Sequence, residues 1–169
     1  MRKGSLTVRF ILLLIAQILL CNFFNFSQYL MLTFLPAMVF FLPVKQDTPA
    51  TMVIAFAAGF AVDFLSDGML GLSSLALVPV AFCRKSIIKL VFGSEVIARV
   101  ENLSFHKNGI PHMLTGIIIS TSIFLAIYIW ADGAGMRPAW FNLTKFGASL
   151  LLSSLVSIII SRILTQDDR

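Results

Sequence analysis

Asp63 is the one carboxylate that falls well inside a long apolar run, the stretch Ala55 to Gly71 that reads AFAAGFAVDFLSDGMLG. A carboxylate in hydrocarbon costs ~2.5–3.5 kcal/mol on insertion scales, so Asp63 must face protein or water and find a partner. Two kinds of chemistry suit it. It could relay a proton, hold an ion or meet another chain, or it could cap the turn at Asp67, Gly68 and Gly71 by accepting backbone N–H bonds. A lone acid without a second intramembrane charge makes a poor relay, which favours the cap. On a helix, Ala55, Gly59 and Asp63 stand at i, i+4 and i+8, so a narrow stripe of small residues leads to the carboxylate. Gly59 then reads as a point of helix contact. Gly68 and Gly71 read as a tight turn and a close approach of helices.

The remaining reactive residue types form no site. Cys21 and Cys83 make no CxxC, and His106 and His112 have no acidic partner at ligand spacing, so there is no metal signature. Phosphate-loop, zinc-protease and serine-hydrolase motifs are missing, and no paired intramembrane acids suggest hydrolysis or transfer. No catalytic residue, cofactor or enzyme activity is expected. Arg84, Lys85 and Lys89 form the densest basic group, read as a topology marker that could also contact lipid headgroups or a cytoplasmic partner.

The elements that must position these residues follow from composition. With 58% hydrophobic and only 12% charged residues over 169 positions, the chain cannot present an ordinary water-exposed surface. It reads as one all-α domain, a polytopic membrane protein whose length accommodates about six spans. The spans fall at about 9–26, 29–44, 50–66, 70–90, 111–131 and 143–164. The second, rich in Phe and Met, is expected to kink at Pro36. The third has a small face (Ala55, Ala58, Gly59, Val62) suited to close packing, which makes it the expected hub of the bundle. Between spans four and five, about 94–108 reads as an amphipathic helix on the inner surface, with Glu95 and Arg99 as an i, i+4 pair.

The net charge of +5 would suggest nucleic acid in a soluble domain, but here the basic residues flank apolar runs. With both termini inside, the inner segments take Arg2, Lys3, Arg9, Lys45, Arg84, Lys85, Lys89, Arg99, Lys107, Arg162 and Arg169. Only Arg137 and Lys145 fall outside, so the positive-inside rule is obeyed.

The run G-F-A-V-D-F-L-S-D-G-M-L-G at Gly59 to Gly71 resembles the rod shape-determining protein MreD family: a Gly, an Asp four residues on, a polar-glycine turn and a Gly-Leu start to the next helix. Chain length, six-span hydropathy and the basic interruption after span four also match. The resemblance implies a non-enzymatic scaffold of the bacterial cell-elongation machinery in the cytoplasmic (inner) membrane. It would hold an MreC-type single-pass protein and help link MreB filaments to RodA and its penicillin-binding transpeptidase. Gly59, Asp63, Gly68 and Gly71 are the positions it carries over. A second resemblance is to the substrate-binding S components of energy-coupling vitamin transporters, also compact six-helix bundles. Those need a polar, aromatic-lined pocket open to the outside, and these spans carry few polar groups beyond Gln17, Asn22 and Asp63.

Overall fold

Where a chain meets hydrocarbon, its backbone must satisfy its own hydrogen bonds, and the apolar runs of this sequence do so as helices. The computed structural model describes residues 3–23, 31–66, 69–93, 110–133 and 138–165, and among these there is no strand. The helices are α1 (Lys3–Phe23), α2 (Leu35–Phe40), α3 (Thr48–Leu65), α4 (Leu72–Phe92), α5 (Ile110–Gly133) and α6 (Ala139–Thr165). Most of α3, α5 and α6 is long and apolar enough to cross a membrane. At 21 residues, α4 is about 30 Å long and matches them in reach, but Arg84, Lys85 and Lys89 lower its apolar character. The expected amphipathic segment at about 94–108 and the turn at Asp67 and Gly68 lie outside the described residues.

Neighbouring helices pack in chain order, α3 on α4, α4 on α5, and α5 on α6. The expected hub at α3 gives way to α2, which touches each of the other five described helices. All six residues of α2 are buried. Its surroundings include Phe34, Leu77, Val80, Phe124 and Leu125, which form the main core. On the other side, the Phe40 ring packs with Val44, Ile87, Ile88 and Met113.

The second expected span, 29–44, is corrected by this arrangement. Among its described residues only Leu35–Phe40 is helical, and residues 31–34 are not. Pro36 does not kink a long helix; it sits in the first turn of a short one, where a missing N–H costs nothing. Non-helical backbone is tolerated at membrane depth only when it is buried in protein. Here Thr33 and Phe34 are buried along with all of α2, and Met31 and Leu32 are half-buried.

The two faces of α3 differ as the residue sizes demand. Ala55, Ala58, Gly59, Val62 and Asp63 are buried, whereas Phe56, Phe60 and Phe64 are exposed on the opposite face. Those three rings stack in a ladder, with centroids 6.1 and 6.3 Å apart. Phenylalanine is not uniformly lipid-facing, however, because Phe34, Phe40 and Phe124 are among the largest fully buried side chains.

Candidate functional site

The interior polar groups concentrate on the segment that runs through the middle of the bundle. Residues 31–34 are not helical, and their backbone groups find a different helix on each side. Toward α6, Ser149 Oγ accepts from the Met31 N–H at 3.0 Å and Ser153 Oγ from the Thr33 N–H at 3.1 Å, while Ser153 also donates to the Met31 carbonyl at 3.2 Å. Toward α1, the Gln17 amide accepts from the Phe34 N–H at 3.0 Å and donates to the Leu32 carbonyl at 3.3 Å. Side chains thus replace the neighbouring strands that a sheet would supply.

Replacing Gln17 with leucine keeps the volume but strips the buried Phe34 N–H and the part-buried Leu32 carbonyl of their partner, at about 1–3 kcal/mol for the buried group left unpaired. The expected result is a clearly lowered unfolding midpoint in detergent, with Gln17→Glu, which keeps the acceptor for Phe34, falling between the variant and the parent.

The far end of this segment is held by Arg84. Its Nε donates to the Phe40 carbonyl at 3.1 Å and its Nη2 to the Leu42 carbonyl, so the guanidinium bridges acceptors at and just beyond the last turn of α2. The expectation that Arg84 reaches lipid headgroups or a partner is corrected, because only 1% of the residue is exposed and it points into the bundle. A guanidinium fork suits two carbonyls better than it suits solvent once a short helix ends beside it. Lys85, half-buried, and Lys89, exposed, remain at the surface of the same helix end.

Asp63 is 4% exposed and crosses from α3 to α4. Its Oδ2 accepts from the Ser73 N–H at 2.9 Å and the Ser74 N–H at 3.4 Å, in the first turn of α4. These are orphan donors of a helix start, and a carboxylate there is favoured by the helix dipole as well as by the bonds. Gly71 precedes the helix at φ +89°, a conformation that glycine adopts without strain. Gly59 stands one turn before Asp63 at the closest approach of the two helices. A Cβ there would lie 2.7 Å from both the Cα and the N of Ser74. Ser74 Oγ completes the joint by donating to the Phe56 carbonyl at 3.3 Å. The small face, expected to pack closely against a helix, is therefore occupied by α4 of the same chain.

Asp63→Asn keeps the acceptor and much of the shape, so near-normal folding is expected. Asp63→Leu leaves the Ser73 and Ser74 N–H groups unpaired and should cost about 1–3 kcal/mol for the closer of them. Protein yield and unfolding midpoint measure both. Equal loss of function at normal protein level in the two variants would instead assign the charge itself a role.

One ion pair escaped sequence reasoning. Lys145 of α6 reaches Asp132 of α5 at 2.9 Å, with both side chains largely sheltered. Both residues fall near span ends in the sequence, where charges are ordinary, and only the packing of α5 on α6 brings them together. The serines of α6 were also passed over. Their signal was a spacing of four through Ser149, Ser153 and Ser157, a buried face of small hydroxyl residues. Among the described residues no group of His, Cys, Asp and Glu could hold a metal ion.

Among the described residues the regular elements are all helices, and three of them are long and apolar enough to cross a membrane, the signature of a membrane protein. No protein-family model, curated protein or solved structure matches the chain.

Proposed function

We propose that this protein is a non-enzymatic, multi-pass scaffold of the bacterial inner membrane, a subunit of the cell-elongation complex that acts in cell shape and lateral peptidoglycan synthesis by binding an MreC-type single-pass protein. MreB, RodA and a penicillin-binding transpeptidase are the further partners in this reading. The observation that carries it is how the interior polar side chains are used. Gln17, Ser149, Ser153 and Arg84 hold the backbone of the central segment, and Asp63 holds the start of α4. Polar groups committed to the protein's own backbone suit a rigid partner-binding body better than a ligand pocket. The motif at Gly59 to Gly71 adds to the reading, since its Gly and Asp form the joint between α3 and α4.

With the small face of α3 already covered, partner contact falls to the outward faces. Affinity purification from detergent-solubilised cells, with mass spectrometry of the associated proteins and of any extracted small molecule, tests the proposal. Recovery of an MreC-type protein and wall-synthesis enzymes is the expected outcome. Recovery of paired ATPases with a stoichiometric vitamin-sized compound would replace the scaffold with a transporter subunit.

A further inference from the structure

Three hydroxyls deep in the bundle have no hydrogen-bond partner among the described residues: Ser120 Oγ and Thr121 Oγ1 on α5, and Ser157 Oγ on α6. All three residues are fully buried. A buried hydroxyl left unpaired is costly, and such groups call for an explanation one by one.

Their depth in the bundle can be compared through the Asp132–Lys145 ion pair. Helices α5 and α6 are consecutive, packed side by side and tied at one end by that pair, so they run antiparallel. Ser120 precedes Asp132 by as many residues as Ser157 follows Lys145, and with the same rise per residue the two hydroxyls stand at one level. Thr121 adjoins Ser120 on the buried side of α5. The walls around this level are apolar: Ile117 lies one turn away along α5, and Phe124 and Leu125 one turn the other way, all fully buried. Polarity continues toward α2. Gly116, one turn before Ser120, is where the Phe40 ring meets α5, and the Phe40 carbonyl takes the Nε–H of Arg84. No carboxylate pairs with that guanidinium among the described residues.

We propose that Ser120, Thr121 and Ser157 form an internal hydration site, in which a bound water molecule bridges α5 and α6. Buried water requires two to four polar partners, and three fully buried, unpartnered hydroxyls at one level of two packed helices can supply them. Each hydroxyl both donates and accepts, so the three can satisfy one water and be satisfied by it. The water joins α5 to α6 at a level well removed from the Asp132–Lys145 pair that ties their ends. This site is independent of the scaffold role.

The test is a double-mutant cycle in the full chain in detergent, with Ser120→Ala, Ser157→Ala and the double variant followed by thermal unfolding. Ser154→Ala gives the baseline, because Ser154 already bonds the Leu151 carbonyl of its own helix at 2.9 Å. A shared water makes the two sites interdependent. Each single substitution then lowers the midpoint by more than the Ser154 baseline, and the double lowers it by clearly less than the sum. Additive shifts would overturn the proposal. An experimental structure at a resolution that shows ordered water reads the same question without substitutions. Density within hydrogen-bond distance of at least two of the three oxygens supports the site, and hydroxyls each turned onto the carbonyl one turn back in their own helix refute it.

Discussion

Gly59→Ala should separate α3 from α4 and destabilise the protein by at least the ~1–3 kcal/mol typical of overpacking. The added methyl would lie 2.7 Å from the Cα and N of Ser74 and 3.0 Å from the carbonyl carbon of Ser73. These are backbone atoms at the start of a helix, so no rotamer change relieves the clash. Relief requires α4 to move away as a unit. That movement also lengthens the Asp63 bonds to Ser73 and Ser74, so one methyl removes the packing and the cap together. In a unimolecular unfolding assay in detergent the midpoint should fall steeply, with lower protein levels in cells. Ala57→Leu is the control, since Ala57 lies on the exposed face of the same helix and should be tolerated. An unchanged midpoint for Gly59→Ala would mean that the helices do not approach this closely.

Arg84→Met should be comparably damaging, for a different reason. Methionine fills much of the same space but donates nothing, so the carbonyls of Phe40 and Leu42 lose their partner. Each buried acceptor left unpaired costs about 1–3 kcal/mol. Because α2 touches each of the other described helices, loosening its end should be felt throughout the bundle. Arg84→Lys should restore only part of the loss, because a single ammonium cannot span two carbonyls as a planar fork does. The expected order of unfolding midpoints is parent, lysine, methionine. Were Arg84 instead a headgroup anchor, methionine would leave the midpoint in detergent unchanged and alter only lipid dependence. Removal of Lys89, exposed on the same helix, should show that second pattern.

How much of this was legible in the sequence varies from element to element. The third span is expected at 50–66, and a helix long and apolar enough to cross a membrane covers Thr48–Leu65, with Pro49 in its first turn as a proline there should be. Its small face was readable as well, because Ala55, Ala58, Gly59 and Val62 recur at helical spacing and small residues in lipid mean close packing. Their partner was not readable, since every apolar helix is an eligible neighbour. The second span misled for a related reason. Hydropathy measures whether a segment avoids water, and residues 33–40 do, but it is protein that buries them. The hydrogen-bond partners of residues 31–34 are supplied by Gln17, Ser149 and Ser153, more than a dozen positions away in sequence, and no local pattern announces that. Arg84 was misread in the same way. A basic residue at a span end normally reaches for the headgroups, and it turned inward because the end of α2 lies beside it.

By itself the sequence determined that the chain is helical and apolar enough to cross a membrane, and that Gly59 and Asp63 lie on one face of one helix. These follow from composition and from a periodicity of 3.6, which depend only on residues near one another in the chain. The tertiary structure alone decided that a short helix forms the centre of the bundle and that Asp63 caps the next helix. It also decided that Arg84 serves backbone carbonyls and that Lys145 meets Asp132. Each of those depends on a donor and an acceptor brought together from separate helices, and in an apolar interior the choice of partner is made by packing, which has no local signature in the sequence.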